Sequence, residues 1–202
     1  MARKEPLVGV TMRVTKASGY DEYRDSLAQD WPVFLDAIAG PNNWFAIPNL
    51  GERRTIEYCT AFGVSALILS GGDDPGVFPV RDETELALLD WAAAEERPVL
   101  GICRGMQLMA IRAGARLKPI NGHVATRHRV EGSIAGDVNS FHNLGLDGCP
   151  PEFKILATSQ DGEIEAMAHQ TLPWEGWMWH PEREPTPGVS DVRRAKKILE
   201  LP

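Results

Sequence analysis

Two short motifs contain the residues best suited to nucleophilic catalysis. Cys103 lies between glycines in the stretch Gly101–Gly105, and His180 is followed two positions later by Glu182. A cysteine nucleophile needs a base, and the base needs a group that fixes its orientation. Residues two apart on an extended segment point the same way, so Glu182 can reach the His180 imidazole. The pattern predicts Cys103 as nucleophile, His180 as base and Glu182 as orienting carboxylate. The alternative is a surface histidine beside a solvated glutamate.

The chain around Cys103 is predicted to turn sharply from a strand into a helix. Residues 98–102 form an apolar run after a proline, and good helix formers continue from Met106 to Gly114. Glycines on both sides of the cysteine permit a tight corner, as in a nucleophile elbow. The helix N-terminus would favour the thiolate there. The alternative is a buried structural cysteine, a common state of free cysteine.

A candidate oxyanion hole follows another predicted strand. The strand at 66–70 runs into Ser70-Gly71-Gly72-Asp73. The glycine N–H groups could face a developing oxyanion, with the N–H of Arg104 as a second donor. A plain Gly-Gly turn is the alternative.

The elements that position these motifs alternate between strand and helix. Strands are expected at 7–12, 44–48, 66–70 and 98–102, and helices at 52–62, 82–96 and 189–201. Residues 20–39 are expected to form two helices separated at Pro32, with Asp30 capping the second. Asp82 and Glu85 have the capping-box spacing for the helix at 82–96.

This alternation, with continuous apolar strands, favours an α/β fold whose mostly parallel sheet is covered on both faces. From about Leu117 onward, short strands joined by tight turns predict an antiparallel edge or side sheet. One domain is expected over residues 1–202.

The composition narrows the function classes. The 202 residues contain 28 carboxylates and 21 Lys plus Arg, for a net charge of −7, which disfavours nucleic acid as partner. Three widely spaced cysteines favour a reducing cytoplasm over a disulfide framework. The first apolar run, residues 7–12, is too short for a signal-peptide core or a membrane span.

Gly-Ile-Cys-Arg-Gly-Met-Gln, Ser-Gly-Gly-Asp-Asp and Trp-His-Pro-Glu, in this order and spacing, resemble the class I glutamine amidotransferase superfamily. The match extends over nearly the whole chain. It implies a three-layer, flavodoxin-like sandwich with a small antiparallel side sheet. It also implies the catalytic roles of Cys103, His180 and Glu182 and oxyanion-hole amides from Gly72 and Arg104. No metal or organic cofactor is expected.

An arginine directly after the nucleophile, here Arg104, resembles the pattern of the gamma-glutamyl hydrolase branch, which includes gamma-glutamyl-GABA hydrolases. Gln107, one helical turn after Cys103, matches a residue that holds the amino-acid end of a glutamyl group. Ser140, Phe141 and His142 resemble the segment that lines the glutamyl pocket. The alternatives are a partly buried helix residue for Gln107 and a satisfied loop histidine for His142.

Three further segments, 20–31, 138–143 and 178–184, look more like the gamma-glutamyl-CDP-amidate hydrolases, which act in building the phosphoramidate group of bacterial surface polysaccharides. Such a substrate carries a pyrophosphate. Five cationic or titratable residues could receive it: Arg13, Arg24, Arg127, His128 and Arg129. Alternatively, they form surface ion pairs that contribute little.

Two rival functions stay open. The first is a glutaminase subunit that passes ammonia to a synthetase partner, which the absence of a fused synthetase domain disfavours. The second is a non-catalytic regulatory protein on the same scaffold, which the complete set of catalytic residues disfavours. A small-molecule substrate is expected, and the oligomeric state is open, a homodimer included.

Overall fold

A nine-stranded mixed sheet forms the centre of the molecule in the computed structural model, which describes residues 6–202. The first five residues of the predicted domain lie outside this range. Five neighbouring strands are parallel, in the order β4 (Trp44–Ile47), β1 (Val8–Thr11), β5 (Ala66–Leu69), β6 (Val99–Ile102) and β13 (Trp174–Trp177). Four antiparallel strands extend it, in the order β12 (Ile164–His169), β11 (Phe153–Ser159), β8 (Val124–Gly132) and β9 (Gly136–Phe141).

Two small antiparallel sheets accompany the central one. β2 (Arg13–Lys16) pairs with β3 (Tyr23–Ser26), and β7 (Leu117–Pro119) pairs with β10 (Leu144–Leu146). The predicted mostly parallel sheet with antiparallel side elements is therefore confirmed.

Helices cover both faces of the sheet because successive strand residues point to opposite sides. Leu67 packs with α2 (Glu52–Phe62), α3 (Pro79–Ala94) and α4 (Arg104–Arg112). Its neighbour Ile68 belongs to the opposite core, with α1 (Trp31–Ala39) and α5 (Val189–Ile198). This arrangement is the predicted three-layer sandwich. Among residues 6–202, no helix has both the length and the apolar character needed to cross a membrane.

The helix expected at the start of residues 20–39 is wrong, because residues 23–26 form β3 of a hairpin. Tyr23 is more than half exposed, so it contributes no buried helical stripe. Cross-strand bonds replace helical ones, including a 2.7 Å hydrogen bond between the Thr15 and Ser26 hydroxyls. The second helix of the segment, α1, begins as predicted with Pro32 in its first turn, but the Asp30 side chain makes no capping bond.

The prediction of a capping box at Asp82 and Glu85 is also wrong. α3 starts three residues earlier, at Pro79, so Asp82 lies within its first turn. Both carboxylates instead form ion pairs with Arg104 on the neighbouring helix. A tertiary partner has displaced the local cap that the spacing suggested.

The corner between β6 and α4 is packed so closely that its glycines have no room for a side chain. A Cβ at Gly105 would collide with the Leu69 carbonyl oxygen, and a Cβ at Gly101 would lie 2.7 Å from the Met106 nitrogen. Both contacts involve backbone atoms, which cannot move aside as a flexible side chain can. Cys103 between them has φ 50°, a value rare for a residue with a Cβ.

We expect Gly105→Ala to lower the free energy of unfolding by about 1–3 kcal/mol, because the new methyl group collides with backbone atoms. Urea denaturation measures the change. Gly188→Ala is the matched control, because its Cβ would approach no atom closer than 3.6 Å. Equal stability of the two variants would contradict the packing argument.

Candidate active site

Cys103 and His180 follow two adjacent parallel strands, β6 and β13, at their carboxyl ends. Ile102 is in register with Trp177, and the Cys103 N–H donates to the Trp177 carbonyl at 2.6 Å. Cys103 is the N-cap residue of α4 and is 5% exposed, while His180 comes three residues after β13. The topology thus brings together two residues that are 77 positions apart in the sequence.

His180 is held between a thiol and a carboxylate. Its Nδ1 lies 2.6 Å from Glu182 Oε1, and the Cys103 thiol is near enough to affect the pKa of the imidazole. Burial by itself lowers the pKa of His180, but the interactions with Cys103 and Glu182 outweigh that effect and raise this pKa to about 9. The imidazole is therefore cationic at neutral pH in this arrangement, next to the sulfur.

Asn139 fixes the backbone of His180 from both sides. Its Oδ1 accepts from the His180 N–H at 2.9 Å, and its Nδ2 donates to the His180 carbonyl at 2.8 Å. Nδ2 also donates to Glu184 at 2.8 Å. Asn139 is buried on β9, so the sheet's outer strand determines where the histidine sits.

Two residues pack against the His180 ring. A Cβ on Gly71 would collide with His180 Cε1, so a residue other than glycine would displace the imidazole. Phe141 meets the ring edge to face, with centroids 5.7 Å apart. The loop after β5 and the end of β9 therefore enclose the imidazole.

The predicted oxyanion loop is anchored by a buried ionic network. Arg81 donates to the Ser70 carbonyl at 2.8 Å and to the Gly71 carbonyl at 3.0 Å. Its guanidinium also pairs with Glu85 at 3.0 Å, and Arg104 pairs with the other Glu85 oxygen. One fully buried carboxylate thus connects the loop before Gly72 with the residue after Cys103.

Burial raises the pKa of Glu85, but Arg81 and Arg104 outweigh that effect and hold it below its usual range. Glu85 is therefore ionised and compensates both arginines. The Arg104 side chain is committed to this network, which leaves its backbone N–H, at the first turn of α4, for the predicted oxyanion role.

The predicted substrate residues occupy different environments. Gln107 is buried and donates from Nε2 to the Leu144 carbonyl at 2.9 Å. Ser140 donates to the His123 carbonyl at 2.7 Å. The ring nitrogens of His128 and His142 lie 3.3 and 3.5 Å from Glu165, inside the protein.

The predicted cations near the N-terminus are less enclosed. Arg13 donates to both Asp73 oxygens at 3.1 Å. It also lies beside Gly72, since a Cβ built on that glycine would be 3.2 Å from the Arg13 Cβ. Arg24 is exposed on β3, with Glu22 and Tyr20 as partners. Arg13 is thus near the candidate oxyanion loop, whereas Arg24 belongs to the outer hairpin.

An open cleft of about 390 Å³ borders Phe141, whose ring packs on His180, and neither His180 nor Cys103 lines it. Phe141 lines it together with Arg127 and Arg183. The Arg183 guanidinium lies 4.5 Å over the Phe141 ring, and Arg127 pairs with Glu184 at 2.8 Å. A larger cavity of about 560 Å³ lies beside α5 and is lined by neither Cys103 nor His180. Of these two cavities, only the smaller is lined by Phe141, the residue whose ring packs on His180.

Asn139, Arg81 and Glu85 support the site, yet the sequence analysis assigned none of them to it. Arg81 and Glu85 have the i,i+4 spacing of an ordinary surface ion pair, and nothing local indicates that they are buried. Asn139 lies in a segment typical of a short strand, and its partner is 41 residues away. Their role depends on tertiary contacts.

Comparisons with known proteins give a matching family model and several similar proteins. A family model described as glutamine amidotransferase class-I matches residues 48–197. The chain is 31% identical to a gamma-glutamyl-CDP-amidate hydrolase of Campylobacter jejuni, over 96% of this chain and 98% of that protein. It is 29% identical to a gamma-glutamyl-gamma-aminobutyrate hydrolase of Escherichia coli O157:H7, over 55% and 56% of the two chains.

Synthase subunits are also similar. A glutamine-hydrolyzing GMP synthase subunit of Methanothrix thermoacetophila is 37% identical over 42% of this chain and 52% of that protein. Among solved structures, a GMP synthase subunit protein of Thermoplasma acidophilum superposes with a TM-score of 0.70 over 98% of this chain and 94% of that one. At 19% identity, this likeness concerns the fold.

We expect Asn139→Ala to lower kcat for amide hydrolysis by about 10-fold or more, since two buried hydrogen bonds of roughly 1 kcal/mol each that hold His180 are lost. As a positioning residue, Asn139 should affect kcat more than KM and should also slow alkylation of Cys103. The control is Asn121→Ala, at an exposed position. Loss of stability with unchanged kcat would contradict this role.

We also expect stability to fall between pH 6.5 and 9. Because the pKa of His180 is raised from 6.5 to about 9, its contribution is fully present below pH 6.5 and is lost as the pH rises through 9. Urea unfolding at both ends of this range measures the loss, which His180→Gln should reduce. Above this range Cys59, whose pKa burial raises to about 12, adds its own pH dependence. Equal slopes for wild type and variant would contradict the prediction.

Proposed function

The chain belongs to the glutamine amidotransferase class-I family, and from this premise we propose that it is a cysteine-dependent hydrolase of gamma-glutamyl amides. The observation that carries the proposal is the position of His180, whose Nδ1 lies 2.6 Å from Glu182 Oε1 and whose pKa is raised in part by the nearby Cys103 thiol. A thiol, a base and an orienting carboxylate in series are the minimum set for acyl transfer through a thioester.

In the first step the Cys103 thiolate attacks the gamma-carbonyl carbon of the glutamyl amide. The carbonyl π electrons move to oxygen, and the N–H groups of Gly72 and Arg104 stabilise the oxyanion. The C–N bond then breaks as the His180 imidazolium gives its proton to the departing nitrogen. The products of this step are a thioester on Cys103 and a free amine or amidate.

In the second step neutral His180 takes a proton from water, and the resulting hydroxide attacks the thioester carbonyl. Collapse of this second intermediate breaks the C–S bond, releases glutamate and returns the thiolate and imidazolium. Glu182 stabilises the imidazolium in the resting enzyme and in both tetrahedral intermediates, and its Oε1 at Nδ1 orients the neutral imidazole in the thioester state.

For the leaving group we propose a cytidine diphosphoramidate, so that the substrate is gamma-glutamyl-CDP-amidate. Support comes from the similarity to the Campylobacter jejuni hydrolase along nearly the full length of both chains. The cleft beside His180 fits the chemistry, because Arg127 and Arg183 can bind phosphate and the Phe141 ring can contact a base. With this substrate, the enzyme would act in the cytoplasm and produce the amidate that is used to modify a surface polysaccharide.

A second candidate function is a glutaminase subunit of a synthetase, which the similarity to the GMP synthase subunit of Methanothrix thermoacetophila favours. That function predicts slow glutamate release from glutamine alone and a rise when a synthetase partner is added. Hydrolysis of gamma-glutamyl-CDP-amidate at full rate by the isolated chain distinguishes the two.

A glutamate-release assay on three substrates tests the proposal: glutamine, gamma-glutamyl-GABA and gamma-glutamyl-CDP-amidate. We expect the highest kcat/KM for the CDP-amidate and a drop of at least about 10⁴-fold in Cys103→Ala. Glu182→Gln should lose less, because the imidazole keeps a weaker orienting partner.

The double variant Arg127→Gln/Arg183→Gln is the specificity control. It should raise KM for the CDP-amidate and leave hydrolysis of gamma-glutamyl-GABA nearly unchanged. Activity in Cys103→Ala would refute the mechanism, whereas equal kcat/KM on all three substrates would refute only the leaving group.

A further inference from the structure

Three histidines and one glutamate form a buried cluster on the antiparallel half of the sheet, away from the catalytic cysteine in sequence. His123 precedes β8, His128 lies on β8, His142 follows β9, and Glu165 lies on β12. Glu165 is fully buried and His123 and His142 are each 3% exposed. The proposed mechanism gives this histidine cluster no role as a unit, although the sequence resemblance places His142 at the glutamyl pocket and His128 among the residues that could receive a pyrophosphate.

The outer nitrogens of two imidazoles are already occupied. His142 Nδ1 lies 3.1 Å from the Leu144 carbonyl, which can only accept, so Nδ1 carries the proton. His123 Nε2 lies 3.0 Å from Asp161 Oδ2, which likewise favours a proton on Nε2. In the neutral tautomers fixed this way, His142 Nε2 and His123 Nδ1 turn lone pairs into the cluster.

Those lone pairs face a carboxylate oxygen. Glu165 Oε1 lies 3.2 Å from His123 Nδ1, 3.3 Å from His128 Nε2 and 3.5 Å from His142 Nε2. His123 Nδ1 and His142 Nε2 are 3.3 Å apart. Within residues 6–202, neither oxygen of Glu165 nor His128 Nε2 has a partner with hydrogen-bond geometry. The Glu165 carboxylate and the lone pairs of His123 and His142 thus converge in a buried place beside His128 Nε2, where a bound cation would compensate them.

The ligand atoms of His123, His128 and Glu165 all lie within 4.8 Å of one another, and the distances from Glu165 Oε1 to the three histidines are compatible with a small shared cation. Ligands about 2.05 Å from a zinc ion lie about 3.3 Å from one another. Imidazole nitrogens favour first-row transition metals over magnesium or calcium, which prefer oxygen. The outward bonds to Asp161 and Leu144 are the supports that metal-bound histidines commonly have.

We propose that His123, His128 and Glu165 bind a divalent first-row transition metal ion, with Zn²⁺ as the preferred occupant and His142 beside them as a fourth ligand. The cluster contains neither Cys103 nor His180, so the ion has a structural role and takes no part in the proposed amide hydrolysis. It joins β8 and the end of β9 to β12 across the intervening strand β11.

The ion would also stabilise the wall of the proposed glutamyl pocket. The Leu144 carbonyl accepts from both His142 and Gln107, at 3.1 and 2.9 Å. The His123 carbonyl accepts from Ser140 at 2.7 Å and from the His142 N–H at 3.0 Å. Metal ligation would therefore fix residues 140–144, which connect the cluster to Gln107 and to Phe141 beside His180.

Metal analysis of the full chain tests the site. We expect about one equivalent of bound metal per chain after desalting, loss on treatment with a strong chelator, and recovery on addition of Zn²⁺. The Tm should fall on removal and return on reloading, because the ion binds the folded state. Loading with Co²⁺ should give the intense visible absorption of a tetrahedral nitrogen-rich site.

His128→Gln should bind less than about a tenth of an equivalent, since a ligand is lost. It is the mildest ligand variant, because the His128 side chain is 16% exposed. His169→Gln, outside the cluster at the end of β12, should keep full metal content. Equal metal in wild type and His128→Gln would overturn the proposal. The proposal would also be overturned if the chelated wild type took up neither Zn²⁺ nor Co²⁺, or if reloading left its Tm unchanged. These readouts do not depend on glutamate release, so they stand apart from the proposed reaction.

Discussion

Close backbone contact at one corner governs the whole active site. Gly105 approaches the Leu69 carbonyl so nearly that no Cβ fits, and this forces α4 to start directly above the ends of β5 and β6. Cys103 consequently adopts φ 50°, with its thiol near enough to the His180 imidazole to affect the pKa of that ring. The surrounding sheet compensates the strain, because the Cys103 N–H bonds to Trp177 on the neighbouring strand.

The second constraint is electrostatic. Glu85 is buried between Arg81 and Arg104 and also accepts from Thr11 at 2.7 Å. Removing one partner would leave an uncompensated buried charge, which typically costs about 3–5 kcal/mol. Since Arg81 also holds the carbonyls of Ser70 and Gly71, the network gives the oxyanion loop a fixed shape before any substrate arrives. Preorganised donors of this kind account for much of enzymatic rate acceleration.

The antiparallel strands provide the other wall of the site. Asn139 on β9 clamps the His180 backbone, and Phe141 packs on its ring. The histidine cluster lies behind the same segment and, through Leu144, reaches Gln107. The parallel half of the sheet thus positions Cys103, the proposed nucleophile, while the antiparallel half positions His180, the proposed base, and the wall of the proposed pocket.

The sequence by itself determined the α/β class, the corner at Cys103 and the pairing of His180 with Glu182, because each depends on local spacing. Apolar runs, flanking glycines and an i,i+2 pair predict local structure whatever the position of the segment in the fold. Only the tertiary structure decided the hairpin at Tyr23, the burial of Glu85 and the grouping of His123, His128 and His142 with Glu165. Each of these depends on partners from distant segments, such as Glu165, which is 42 residues from His123. The periodicity of one sequence does not predict contacts of this kind.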